Sequence, residues 1–181
     1  MTAARNVEIK ARLRKPDWQH VRAVELADSG PTHLQQEDVF FHSPRGRLKL
    51  RFLSDDDGQL IFYERPNQLG PKLSTYDVVS STEPRRLQEV LAAAYGIRSI
   101  VRKSRTVYLV GRTRIHLDEV ESLGSFLELE VVLAQNEAPQ AGLEVAHELL
   151  EQLQIEQADL IAQAYVDLLD GMHPPTASSC P

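Results

Sequence analysis

Gly46-Arg47-Leu48-Lys49-Leu50-Arg51-Phe52 alternates strictly. Successive strand side chains leave opposite faces, so Arg47, Lys49 and Arg51 share one face and Leu48, Leu50 and Phe52 the other. The same arrangement recurs far away in the chain. Phe126 to Leu133 sets Glu128 and Glu130 against Leu127, Leu129, Val131 and Leu133, and Asn6 to Leu13 sets Asn6, Glu8, Lys10 and Arg12 against Val7, Ile9, Ala11 and Leu13. Arg112, Arg114, His116 and Asp118 oppose Thr113, Ile115 and Leu117, while Lys103 and Arg105 share a face with Val101 and Val107. A sheet with one densely ionic and one apolar face must cover the apolar side with helices. Closing that sheet on itself puts the ionic faces inside a wet tunnel, because unpaired charges are too unfavourable to bury dry. The expectation is an α+β fold: a barrel with a charged interior and helices packed outside.

Composition fits one domain. The chain has 181 residues, 42% of them hydrophobic, and a formal net charge of -6, which argues against a general nucleic-acid binder. Cys180 is the single cysteine, so no internal disulfide or thiolate metal site can form. No basic leader with a long apolar run and no stretch of about 18 apolar residues is present, which makes the cytoplasm the expected location and a membrane partner unexpected.

Around the ionic strands, Trp18, Val21, Val24 and Leu26 recur at helical spacing and predict a covering helix. Thr32 to Ser43, Leu60 to Arg65 and Lys72 to Val79 read as strands, and Ser54 to Gly58 as a plain hairpin turn rather than a calcium loop. Glu83-Pro84 starts a helix that Gly96 stops. Helical periodicity returns from Ala141, breaks near Gln154-Ile155, and resumes from Leu160 to Leu169 as a further covering helix containing Tyr165. Residues 1–170 are read as one domain and 171–181 as a disordered tail.

These residues resemble the CYTH family, the triphosphate tunnel metalloenzymes that include class IV adenylyl cyclases, thiamine triphosphatases and inorganic triphosphatases. The landmarks are Val7-Glu8-Ile9-Lys10, Gly46 to Arg51, Lys103-Ser104-Arg105, His116 to Val120 and Gly124 to Glu130. The resemblance, closest to the class IV cyclase-like branch, implies an eight-stranded antiparallel β-barrel, a triphosphate ligand and a divalent metal. It departs at one point: the family signature Glu-x-Glu-x-Lys begins here with Asn6, a weaker ligand for a hard cation.

A triphosphate needs cations against its oxygens. Lys10, Lys49, Arg51, Lys103 and Arg105 are the first choices; Arg47, Arg112 and Arg114 are the second, with partnership to carboxylates as their other reading. Arg12 and Arg65 are placed near the tunnel mouth. Glu8, Glu128 and Glu130 would hold Mg²⁺ or Mn²⁺, with Asp118 as a further contributor. Lys10, Arg51 and Glu130 are the residues expected at the reacting phosphoryl group. His42 and His116 are read as polar strand residues bonded to neighbours, and the tyrosines as packing residues. The implied substrate is tripolyphosphate, thiamine triphosphate or ATP, handled by a monomer or homodimer. The expected reaction is metal-dependent hydrolysis, with cyclisation of ATP to cyclic AMP, or binding without turnover because of Asn6, as the alternatives. No Gly-x-x-x-x-Gly-Lys-Ser/Thr loop is present, so a P-loop is excluded.

Overall fold

The computed structural model describes residues 4–172. Eight strands form a closed antiparallel barrel: β1 (Ala4–Arg12), β2 (Ser29–Phe41), β3 (Arg47–Phe52), β4 (Gly58–Glu64), β5 (Lys72–Ser81), β6 (Ile97–Val110), β7 (Thr113–Val120) and β8 (Gly124–Val132). Their order around the barrel is β1-β5-β4-β3-β2-β6-β7-β8. Full closure leaves no sheet edge exposed.

The alternation works as expected. Val7, Ile9, Ala11, Leu127, Leu129 and Val131 leave the barrel outward and are fully buried under α3 (Pro139–Gln152), whose inner face carries Ala146, Leu149 and Leu150. Contact is close there. A Cβ on Gly142 of α3 would stand 2.8 Å from side-chain carbons of both Val7 and Leu133, so the helix can approach this closely only with glycine at that point. On the opposite side Leu87, Leu91 and Ala92 of α2 (Pro84–Tyr95) cover Val39, Phe41 and Leu50. Gly96 ends α2 at φ 73°, and Gly111 turns β6 into β7 at φ 54°, conformations that glycine adopts without a Cβ clash.

Two helices depart from the sequence reading. In α1 (Pro16–Leu26) the expected covering residues Trp18, Val21 and Val24 are exposed, and the buried pair is Gln19 and Ala23. Gln19 is kept inside by hydrogen bonding: its amide donates to the Leu153 carbonyl at 3.3 Å and accepts from the Lys15 backbone N–H at 3.2 Å. Near the end of the chain, Leu160 and Ile161 are not helical. Leu160 bridges Ala11, and the Ile161 N–H donates to the Lys10 carbonyl at 2.8 Å, so barrel hydrogen bonds outcompete the helical period. A 3-10 turn (Gln157–Asp159) precedes this segment, and the final helix α4 begins only at Tyr165 and runs to Met172.

That helix does not lie on the barrel wall. Val166 and Tyr165 pack against Phe40, Val101, Val120 and Phe126, which are inward-facing residues at one end of β2, β6, β7 and β8. α4 therefore plugs one end of the tunnel, and the other end remains open as the mouth. Asp167 fixes the plug: it accepts from Arg47 at 2.6 Å, from Arg98 at 2.8 Å and from the Ala164 N–H at 3.1 Å. Gly171 and Met172 belong to α4; the rest of the expected tail lies outside the described residues. Among the described residues no helix is long and apolar enough to cross a membrane.

Candidate functional site

The barrel encloses a cavity of about 540 Å³ lined by inward side chains of all eight strands and by Ala164 and Tyr165 at the closed end. Six strands, β1, β2, β3, β6, β7 and β8, deliver ionic residues to the cavity by the same period of two, so the antiparallel register decides which charges meet. Lys10 stands opposite Glu128, Glu8 opposite Glu130, and His116 opposite Glu128. The Lys10 ammonium pairs with Glu128 and lies 3.3 Å from the centre of the Tyr165 ring. Arg105 grips Asp118 with two hydrogen bonds of 2.6 and 2.5 Å and also reaches Glu128. Asp38 receives Lys49 at 2.8 Å and Arg51 at 2.7 and 2.8 Å. Arg65 donates to Glu8 at 2.9 Å, and Arg114 to Glu130 at 2.9 Å.

Burial and neighbours pull the titrating groups apart. Burial raises the Asp38 and Glu128 carboxyls, but Lys49 with Arg51, and Lys10 with Arg105, outweigh it and hold both well below the usual range. Glu8 goes the other way: burial raises it, and Arg65 does not compensate while Glu128 adds repulsion. Lys103 is pushed down to about 7, first by burial and then by Arg105. His116 is lowered by burial and by Arg105, which keeps its imidazole neutral and able to offer a lone pair.

Most of the sequence-derived residues converge. Glu8, Lys10, Lys49, Arg51, Lys103, Arg105, Arg114, Glu128 and Glu130 all line the cavity. Three do not. Arg112 is an exposed turn residue paired with Glu137 at 2.5 and 2.6 Å, because the strand starts one residue later than the alternation suggests. Arg47 holds α4 through Asp167 and Asn67 rather than facing the cavity. Asp118 is buried beneath the lining, with its oxygens engaged by Arg105 and by the Tyr165 hydroxyl, 2.9 Å away, and does not itself line the cavity. Its carboxyl is held down to about 2, against burial, chiefly by Arg105 and Lys103.

Arg65 and Arg12 sit toward the closed end, not the mouth, since β4 ends and β1 ends there; Arg12 lies over the Phe126 ring at 5.0 Å. Sequence reasoning missed Asp38 as the anchor of Lys49 and Arg51, although its place in the alternation of β2 was visible. It also missed Lys72, buried and donating to the Gln68 and Ile161 carbonyls at 3.1 Å each. His42 stays outside the tunnel, whereas His116 is more than a bonded strand residue. Its Nδ1 has no hydrogen-bond partner and lies 3.8 Å from Glu128 and 3.9 Å from Glu130.

His116, Glu128 and Glu130 bring ligand atoms within 4.8 Å of one another, with Glu8 next to Glu130 by register. Two carboxylates beside one imidazole are a donor set that fits a divalent cation, the carboxylate oxygens supplying the ligands that a hard ion takes. A model of the CYTH domain matches residues 4–165. A Methanocaldococcus jannaschii protein named as a candidate adenylate cyclase is 24% identical over 140 residues, covering 74% of this chain and 80% of that protein. The solved structure of the PH1012 protein of Pyrococcus horikoshii OT3 is similar with a TM-score of 0.79 at 20% identity, over 90% of this chain and 98% of that one. A Hippeastrum adenylyl cyclase candidate, described as having a dominant triphosphatase activity, gives a TM-score of 0.61 at 19% identity over 91% and 94%. At these identities the solved structures speak for the fold alone. With its family model spanning the barrel from β1 to the start of α4, the chain belongs to the CYTH domain family.

Proposed function

We propose that the protein is a divalent-metal-dependent hydrolase of inorganic or organic triphosphates. The observation that carries this is the charge of the tunnel. In a chain of net charge -6, seven basic side chains, Lys10, Lys49, Arg51, Arg65, Lys103, Arg105 and Arg114, gather at the cavity with the carboxylates Glu8, Asp38, Glu128 and Glu130, and burial holds the Lys103 ammonium down to about 7. An anion beside these groups favours their charged forms, and a triphosphate carries about four negative charges near neutrality.

In this reading Lys49, Arg51, Lys103 and Arg105 surround the phosphate oxygens, with the two arginine forks already oriented by Asp38 and Asp118. Glu8, Glu128, Glu130 and His116 would hold Mg²⁺ or Mn²⁺. Such an ion, when bound, neutralises phosphate charge and polarises the phosphoryl oxygen. Lys10 and Arg51 stabilise charge that builds on the oxygens of the transferred group, and Glu130 orients the attacking water. The plug formed by Tyr165 keeps bulk water out of the closed end.

The test incubates purified protein with tripolyphosphate, thiamine triphosphate or ATP and with Mg²⁺ or Mn²⁺ in turn. Metal-dependent release of phosphate supports hydrolysis. Pyrophosphate with cyclic AMP from ATP replaces it with cyclisation, and thermal stabilisation by the triphosphate without any product leaves a binding module.

A further inference from the structure

Helix α1 turns its apolar row away from the barrel. Trp18, Val21 and Val24 follow at every third position and are 38, 57 and 49% exposed, while the inner face holds Gln19 and Ala23. A single exposed apolar residue is ordinary, but three on one helix face form a contiguous patch, the kind of surface that marks an interaction site. The inner side of α1 is also fixed. Gln19 bonds to the Leu153 carbonyl and His20 Nε2 lies 2.9 Å from the Tyr108 hydroxyl, so rolling the apolar row inward would break both contacts.

Trp18 and Val21 line a groove of about 330 Å³ whose other wall is the end of α3, and Glu25 and Glu151 line it with them. Among the described residues Arg22 is the only base in the lining, and its guanidinium is engaged by Glu25 at 2.8 Å and by the Gln152 carbonyl at 3.3 Å. Lys15, just outside, donates to the Gln154 side chain at 3.3 Å. Glu144, Glu148 and Glu151 extend the negative charge along an exposed stripe of α3, at the i, i+4, i+7 spacing that puts them on one face. The carbonyl end of a helix favours cations, yet Glu148 and Glu151 stand toward that end of α3, and the last turns of α3 and α1 hold no basic residue. These carboxylates gain from positive charge brought from outside.

We propose that the groove between α1 and α3 docks a basic amphipathic helix of a partner protein. The apolar residues of that helix cover Trp18, Val21 and Val24, and its lysines and arginines meet Glu25, Glu148 and Glu151. A second copy of this chain is the poorer occupant, because a twofold contact through the groove sets the same carboxylates against each other. The groove lies outside the barrel, so docking there does not depend on what the tunnel binds.

Trp18 is the only tryptophan of the chain, so its emission reports this groove alone. The experiment titrates the whole chain with an amphipathic helical peptide of leucine and lysine and, separately, with its leucine and glutamate counterpart, on wild type, Val21→Ser and Glu148→Lys/Glu151→Lys. Val21 is more than half exposed, and lysines near the end of α3 match the helix dipole, so all three proteins are expected to fold, which circular dichroism checks. The expected result is a saturable blue shift of wild-type emission with the lysine peptide only, with affinity falling about tenfold or more in each variant. No shift with the lysine peptide, an equal shift with the glutamate peptide, or an affinity that neither variant changes overturns the proposal. A blue shift on concentrating the protein alone, with dimers in sedimentation equilibrium, assigns the groove to a second copy and overturns it as well.

Discussion

Tyr165 donates its hydroxyl to Asp118 at 2.9 Å. That single bond joins the plug helix to the carboxylate that orients Arg105, while the ring of the same tyrosine roofs Lys10. Tyr165→Ala opens the closed end and removes an aromatic side chain that is 5% exposed, so it is expected to lower stability by about 3–5 kcal/mol in denaturant unfolding. Tyr165→Phe keeps the ring and loses one hydrogen bond, for about 1 kcal/mol. Equal effects of the two substitutions would argue against the plug.

Asp167 carries a pH dependence. Its carboxyl is held down to about 2 because Arg47 and the backbone N–H of Ala164 outweigh the upward push of partial burial. A depressed folded value stabilises the fold above the unfolded value near 3.9, and the contribution is lost as pH falls from about 4 to about 2. Acid unfolding of Asp167→Asn should therefore show a shallower loss of stability over that window than wild type.

Asp167 and Lys103 both make stability rise with pH over their windows, but where Asp167 contributes stability, Lys103 contributes a penalty. Its folded value of about 7 lies below that of the unfolded chain, near 10.4, so the unfolded chain holds the extra proton in between and the penalty on stability fades as pH rises. A triphosphate beside it favours the ammonium. Binding at about pH 8 is expected to take up protons, seen as a buffer-dependent enthalpy in calorimetry, and affinity should weaken as pH rises through the folded value. Lys103→Met should abolish the uptake.

The barrel was legible because a period of two repeated on separate strands leaves few ways to bury the apolar sides of Val7, Ile9, Leu127 and Leu129. Which charges meet was not, since a pairing such as Arg105 with Asp118 depends on register between strands, and the alternation of one strand is silent on register. The alternation of β7 therefore places Asp118 inward without showing that it meets Arg105, and it does not mark the strand's start, so it puts Arg112 inward although β7 begins at Thr113. α1 and the Leu160 segment misled through local pattern: Gln19 finds its hydrogen bonds inside, and Ile161 finds Lys10 across the barrel, and neither partner is near in sequence.

The two arginines near the start of β7 separate these effects. Arg114 lines the tunnel and pairs with Glu130, whereas Arg112 pairs outside with Glu137. Arg114→Ala should lower triphosphate turnover about 10²-fold, and Arg112→Ala should leave it within the error of the same phosphate-release assay.

The most direct measurement is metal-dependent phosphate release from tripolyphosphate, run side by side on wild type and Glu130→Gln with circular dichroism to verify the fold of each. Release by wild type in Mg²⁺ or Mn²⁺, with loss of most of the activity in folded Glu130→Gln, is the predicted result. No release by wild type under either ion, or equal release by both proteins, would contradict a tunnel in which these carboxylates and cations act together on a triphosphate.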